Sequence, residues 1–263
     1  MFTYIFIGII VGAITGVTGA SGVLVLIPIF TTFFDIPLPV VLGTSLLVDV
    51  IASASVSYSY YQAKHIDIRK SVWIITGALL GAQIGSYFVV SISRSFIMII
   101  LAICMIVFGF KMFKSGLSKN ENSNLVVPDR IANRLKTPFG MGLMGLIIGV
   151  ITGIFGAGGG LTVFIILYSV LRFDIKKAVG TSSFVMLLTA ISGVLGYTQN
   201  GNIDFKLGLI IGLSAAVGGA VTSFFANKVP EKILARLIGV FFVLFAVLMV
   251  VLKVLPLLFN FSY

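Results

Sequence analysis

Most catalytic chemistry has no parts to work with in this chain. Its 263 residues include one cysteine, one histidine, one tryptophan and eight acidic side chains. The single histidine, His65, lies in a polar loop where a solvated position is expected and no Ser/His/Asp set, and one histidine excludes a metal site built from several. Lone Cys104, set in an apolar run, forms no internal disulfide and no CxxC ligand pair. No cofactor, metal or enzymatic activity is therefore expected. Charge is scarce as a whole, at 10% of residues, where a soluble domain carries about 25%. What is present is apolar: 59% of residues are hydrophobic and the mean hydropathy is +1.17. That is the composition of a polytopic membrane protein. The net charge of +10 does not indicate nucleic acid, because the basic residues cluster in short loops between apolar spans, the topology signal of a membrane protein. The opening MFTYIFIGII lacks a basic n-region and a small-residue cleavage site, so it reads as a span and not as a cleaved signal.

Apolar segments fall at 4–34, 38–61, 72–90, 95–113, 139–171, 178–198, 207–226 and 237–255. Six have single-span length, and a span takes about 20 residues. The first and fifth are too long for one straight span. Residues 115–137, SGLSKNENSNLVVPDRIANRLKT, form the one sizeable polar linker. The expected organisation is a first membrane repeat over 1–114, a cytoplasmic linker over 115–137 and a second membrane repeat over 138–263.

The two overlong segments carry nearly the same phrase. Residues 8–27 read GIIVGAITGVTGASGVLVLI, and residues 145–164 read GLIIGVITGIFGAGGGLTVF, identical at ten of twenty positions. The offset of 137 persists beyond the phrase. Gly43-Thr44-Ser45 matches Gly180-Thr181-Ser182, Tyr60 matches Tyr197, Ile66-Asp67 matches Ile203-Asp204, and Gly81 matches Gly218. Gene duplication is the plain reading, and paired interruptions in two halves of an apolar chain point to a transport site.

The orientation of the halves depends on the overlong segments. If each is one long span, the halves are parallel and Lys and Arg divide 11 to 7. If each is broken or re-entrant, the halves are inverted. Then 15 fall on the side of Lys64, Arg69, the linker, Arg172, Lys176 and Lys228, with only Arg94, Lys206 and Lys253 opposite. The positive-inside rule favours the stronger asymmetry. The expected fold class is all-α and polytopic, with two homologous repeats, inverted in the favoured arrangement, and broken or re-entrant first segments. Both termini then lie outside.

Irregular backbone at membrane depth survives where protein or a water-filled cavity satisfies it. After each break a half-helix is expected to restart, near Ser21-Gly22 and near Gly158-Gly159-Gly160. Its first N–H groups are unpaired and its dipole end is positive. Two such ends near the midplane make an anion site without a buried lysine, and Thr15, Thr18, Ser21 and Thr152 are candidate hydroxyl donors. The plainer reading is close packing, since Gly8-x3-Gly12-x3-Gly16 is also a small-residue interface pattern. Thr44, Ser45, Thr181 and Ser182 fall in the first turns of the next span of each half. They either face the same cavity or bond back to their own helix carbonyls.

Asp49 is the one acidic residue well inside a span, and its counterpart is Met186. A carboxyl at that depth is a functional candidate, here for proton coupling, with helix packing as the rival role. Gln83, among glycines, reads as an interhelical hydrogen bond. Ser53, Ser55, Ser57 and Ser59 have period two, which does not make one helical face, so they read as polar relief near a helix end. His65 reads as a solvated loop residue. Arg172, Lys176 and Lys177, like Lys64, Arg69 and Lys70, sit where they recruit anions, set topology or meet lipid headgroups.

Two halves of about four segments, each opening on a G-x3-TG-x2-G phrase and followed by GTS in the next span, resemble the sulfite exporter TauE/SafE family over nearly the whole chain. The resemblance implies a multi-pass carrier in the cytoplasmic membrane for small sulfur-containing anions such as sulfite, sulfoacetate or related organosulfonates. It also implies alternating access and proton coupling; an anion channel with the same central site is the alternative. The family's glycine motif carries over to Thr15, Gly16, Gly19 and Gly22, and to Thr152, Gly153, Gly156, Gly158 and Gly159. The first copy departs at Ser21 and Val23, where the second has Gly158 and Gly160. The implied partners are the anionic substrate and the lipid bilayer, and a homo-oligomer is compatible with both.

Overall fold

A computed structural model describes residues 1–22, 26–34, 36–87, 103, 106–107, 109–114, 135, 137–155 and 159–251. Among them every regular element is helical. α1 spans Phe2–Thr18, α2 Leu26–Phe33, α3 Leu38–Gln62 and α4 Ile68–Tyr87. α5 spans Pro138–Phe155, α6 Gly159–Ser169, α7 Ile175–Gln199, α8 Phe205–Lys228 and α9 Glu231–Met249. α3, α7 and α8 have 25, 25 and 24 residues and are apolar enough to cross a membrane. Most of the 95–113 segment, Cys104, Arg94, Lys253 and nearly all of the linker lie outside the described residues.

Each overlong apolar segment is two helices. α1 stops at Gly19, which takes the left-handed conformation at φ 63° and returns its N–H to the Thr15 carbonyl at 2.9 Å. Glycine carries no Cβ penalty there, which makes it the natural helix stop. The chain then doubles back. Gly22 lies against Val11 and Thr15. At the far end of α2 the Phe34 ring sits 5.4 Å from that of Tyr4, near the start of α1. The first segment is therefore a helical hairpin. In the second segment Gly159, the first residue of α6, lies against Thr152 of α5.

The helices interleave along the chain. α1 packs on α8 in parallel, with Gly8 against Ile211, Gly12 against Ala215 and Gly16 against Gly219. α5 packs on α4 in the same way, with Gly145 against Ile74 and Gly149 against Ala78. The first helix of each chain half thus pairs with the fourth helix of the other half. These backbones approach so closely that a Cβ at Gly12 or Gly149 would collide with the facing carbonyl. In lipid, where association rests on packing, small residues permit that approach. α3 and α7 cross centrally and antiparallel: Gly43 meets Tyr197, Gly193 meets Leu46, and Gly180 meets Tyr60.

α8 shows the two-faced character of these helices. Gly208, Ile211, Gly212, Ala215, Gly218 and Gly219 are buried. Leu209, Leu213, Val217, Val221 and Phe224 stand exposed on another face. An exposed apolar face of that extent belongs in contact with lipid.

Candidate functional site

The breaks interrupt the helical hydrogen-bond ladder, and several of the peptide groups they free have a named partner among the described residues. The last turn of a helix leaves carbonyls without intrahelical donors. At the end of α1, the buried Tyr60 hydroxyl donates to the Gly16 carbonyl at 3.1 Å. At the end of α5, Tyr197 donates to the Gly153 carbonyl at 3.2 Å. Both residues of the second bond lie 137 positions after those of the first. Ser182 reaches across from α7 to the Gly19 carbonyl at 3.0 Å, sharing its hydrogen with the Val179 carbonyl at 3.0 Å. The turn's own amides are also held. Ala20 N donates to Thr18 Oγ1 at 3.1 Å, and Gly22 N donates to Thr15 Oγ1 at 3.1 Å.

The hydroxyls expected as free anion donors are committed in this conformation. Thr15 donates to the Val11 carbonyl at 3.0 Å, Thr18 to Ile14 at 2.8 Å, and Thr152 to Ile148 at 2.9 Å. Ser45 donates to Leu42 at 2.7 Å. The back-bonding alternative, raised by the sequence for the Gly-Thr-Ser residues, holds for Ser45, and Thr15, Thr18 and Thr152 bond back to their own helices as well. Thr44 and Thr181 do something else. Thr44 Oγ1 accepts from Asp204 N at 2.9 Å, and Thr181 Oγ1 accepts from Asp67 N at 3.1 Å. Each threonine braces the loop leading into a helix of the opposite half.

The two breaks meet. A Cβ placed on Gly160 would lie 2.7 Å from the Gly19 carbonyl oxygen and 3.0 Å from the Ala20 Cα. The Met186 sulfur touches Gly160 from α7. Beside this meeting point, Ser21 donates to Asp49 Oδ2 at 2.6 Å; both residues are almost wholly buried. Asp49 Oδ1 has no hydrogen-bond partner, a condition shared among the buried side-chain atoms of the described residues only by Ser57 Oγ. The structure thus brings Ser21, Gly19, Gly22, Asp49 and Ser182 together with Gly159 and Gly160. The expected restart of the second half-helix falls at Gly159. In the first copy Gly22 is in a short 3₁₀ turn and α2 is described from Leu26. Gly156 and Gly158 lie outside the described residues.

Three sequence expectations need correction or completion. Ser53 and Ser57 are not relief at a helix end. They are buried on α3, one and two turns beyond Asp49, while Ser55 donates to the Ala216 carbonyl of α8 at 2.8 Å. The overlooked signal was a period of four, Ser45-Asp49-Ser53-Ser57, hidden within a run of period two. His65 is not simply solvated: its Nδ1 lies 2.6 Å from Asn227 Oδ1. Lys176 Nζ donates to the Asn227 carbonyl at 2.7 Å, so the basic loops beside Lys64, Lys176 and Lys228 share one end of the molecule. Gln83 makes the interhelical bond expected of it, donating to the Ser192 carbonyl at 2.9 Å.

Long apolar helices with exposed apolar faces, and helix ends whose carbonyls are met by Tyr60 and Tyr197, define an all-helical membrane protein. The pattern of the family described as Sulfite exporter TauE/SafE matches residues 4–249. The chain belongs to this family of membrane transporters. It is 28% identical over 236 residues to "Probable membrane transporter protein YdhB" of Bacillus subtilis, covering 86% of this chain and 90% of that one. It is 28% identical over 255 residues to a "Probable membrane transporter protein" of Haemophilus influenzae, covering 90% and 91%. A "Probable membrane transporter protein" of Methanocaldococcus jannaschii is 27% identical over 254 residues, with 90% and 91% covered. No solved structure matches the chain.

Proposed function

We propose that this chain is a secondary transporter of small sulfur-containing anions, with sulfite, sulfoacetate and related organosulfonates as the substrate class. It works as a multi-pass protein of the cytoplasmic membrane, coupled to protons, by alternating access. The observation that carries the reading is the meeting of the Gly19–Gly22 turn with Gly159-Gly160 beside the buried Ser21–Asp49 pair. The start of α6 at Gly159, beside the Gly19 turn, favours negative charge, and a lone buried carboxyl is a natural proton carrier.

The two halves, 1–114 and 138–263 flanking the linker, are proposed as inverted repeats. Support comes from the helical hairpin of the first segment, from antiparallel α3 and α7, and from the bonds that recur at an offset of 137. The substrate shell is proposed as Thr15, Gly16, Thr18, Gly19, Ser21 and Gly22 with Thr152, Gly153, Gly159, Ser45 and Ser182. Gly156 and Gly158 join it by their position in the phrase. As one bundle rocks against the other, these hydroxyls exchange carbonyl partners for anion oxygens. Thr44 and Thr181 serve the rocking by tying the halves' loops together.

The test is transport in proteoliposomes with a panel of sulfur and carbon oxyanions, with and without a pH gradient. Saturable flux of a sulfur oxyanion that follows the gradient is the expected result. Non-saturating flux indifferent to pH would replace the carrier with a channel. Gly19→Leu, which forces a branched side chain into the left-handed turn against Ser182, abolishes flux if the tip is the site.

A further inference from the structure

We infer that α3 carries a one-sided hydrated track, along Ser53 and Ser57, that connects the Asp49 carboxyl to the membrane face bearing Lys64. The inference rests in part on the transport reading above, because it gives Asp49 its route to water.

Two buried side-chain atoms among the described residues have no hydrogen-bond partner, Asp49 Oδ1 and Ser57 Oγ. They stand on the same helix, eight residues apart, about 12 Å at the usual rise. Buried polar atoms of this kind are normally satisfied, by ordered water where protein does not serve. Ser53 lies midway, its hydroxyl donating to the Asp49 carbonyl. Positions 49, 53 and 57 recur every four residues and so share a face. That face turns toward α7 and the α1 tip. Tyr60, one turn on, bonds the end of α1, and Leu46, one turn back, meets Gly193. α8 takes Leu47, Ile51 and Ser55 on the other side and reaches Val56 at the edge of this face. Beyond Ser57 the helix ends at Gln62, and the loop of Lys64, His65 and Asp67 follows.

The sidedness comes from the counterpart positions. At an offset of 137, Asp49, Ser53 and Ser57 become Met186, Ala190 and Val194. α7 runs antiparallel to α3, so that stripe leads from the centre toward the opposite face, at Asn200. It is apolar throughout. Ser21 is also replaced, by Gly158. The chain thus has a polar route on one side and an apolar one at the equivalent place on the other. A proton leaving Asp49 passes to water along Ser53 and Ser57 and reaches bulk solvent beside Lys64.

The experiment is cysteine accessibility in the full chain in proteoliposomes, on a Cys104→Ser background. A membrane-impermeant cationic methanethiosulfonate is added from each face in turn, with Lys64→Cys and Asn200→Cys reporting the two sides. Ser53→Cys and Ser57→Cys should react from the Lys64 side at least tenfold faster than from the other. Ala190→Cys and Val194→Cys should stay unreactive from both. An unreactive Ser57→Cys, equal rates from both faces, or a Val194→Cys as fast as Ser57→Cys would each overturn the track. A second measurement uses the unmutated chain: a water-soluble carbodiimide added from the Lys64 side should modify Asp49, read by peptide mass spectrometry. Ser57→Val should reduce that yield at least fivefold, and an unchanged yield counts against the track. Labelling needs no transport. A labelled track without pH-driven flux would remove the coupling role of Asp49 and leave the track; an unlabelled one with intact flux does the reverse.

Discussion

Ser21 Oγ donates to Asp49 Oδ2 at 2.6 Å, and the positions 137 residues later hold Gly158 and Met186. The hydroxyl and the carboxyl are absent together from the second half. A pair kept as a unit in one half and missing as a unit in the other breaks the internal symmetry at the point where the two tips touch. That asymmetry is where coupling chemistry is to be sought.

Asp49→Asn keeps the side-chain volume and removes the titratable proton. Transport driven by a pH gradient should fall to the level seen without one, while exchange at equal pH on both sides continues. Isotope-exchange flux in proteoliposomes separates the two. An unchanged response to pH would remove Asp49 from coupling.

Ser21→Gly copies the second half into the first. A hydrogen bond contributes about 0.5–1.5 kcal/mol to a neutral partner and about 1.5–3 kcal/mol to a charged one, so thermal unfolding in detergent should move to lower temperature by a loss within that range. Asp49→Met with Ser21→Gly should recover part of the loss, because no polar atom is then left alone.

Tyr60→Phe and Tyr197→Phe each remove the donor to a helix-end carbonyl, at Gly16 and Gly153. A buried carbonyl left unpaired costs about 1–3 kcal/mol. The two single losses should be similar in size, since the two bonds have matching lengths and settings. Thermal melts of the two variants check this, and a loss at one site alone would set the two breaks apart.

Gly12→Ala and Gly149→Ala add one methyl where α1 meets α8 and α5 meets α4. The new atom would strike the Ala215 or Ala78 carbonyl, and overpacking of this kind costs about 1–3 kcal/mol or more. The monodisperse fraction after extraction should fall for both. Gly201→Ala, where nothing lies near the added methyl, should lose only the smaller strain of its φ of 66°.

Thr44→Val and Thr181→Val leave the Asp204 and Asp67 amides without their acceptors. Each should lower stability by about 1–3 kcal/mol and slow turnover, while half-saturating substrate concentration stays near that of the unaltered chain. A large change in that concentration would return these threonines to the substrate shell.

Much of the fold was legible because membrane physics writes it in one dimension. A span needs a fixed run of apolar residues, so helix positions such as Leu38–Gln62 and Ile175–Gln199 follow closely from hydropathy alone. The break of the first overlong segment into two helices was legible from excess length joined to glycine, and Gly19 is the stop. The site was legible only as a neighbourhood. Whether a threonine hydroxyl faces a ligand, its own helix or a distant loop depends on which surface the neighbouring helix covers. Thr15 and Thr44 are the same residue type in equally suggestive motifs, yet one staples a turn and the other caps a loop from the opposite half. The Ser45-Asp49-Ser53-Ser57 face escaped notice because intervening serines masked its period.

The sequence by itself determined that the chain is a helical membrane protein, with a glycine phrase written twice in its overlong apolar segments and an acidic Asp49 that has no counterpart at the matching offset. Length, hydropathy and repetition are local or internal quantities, and they need no partner to be read. Tertiary structure alone decided that α1 pairs with α8 and α5 with α4. It also decided that Tyr60 and Tyr197 hold the broken ends, and that Ser21 reaches Asp49 across 28 residues. Those are choices among many apolar faces of similar hydrophobicity. In lipid no solvent gradient ranks them, so close steric fit and the pairing of buried polar atoms make the selection.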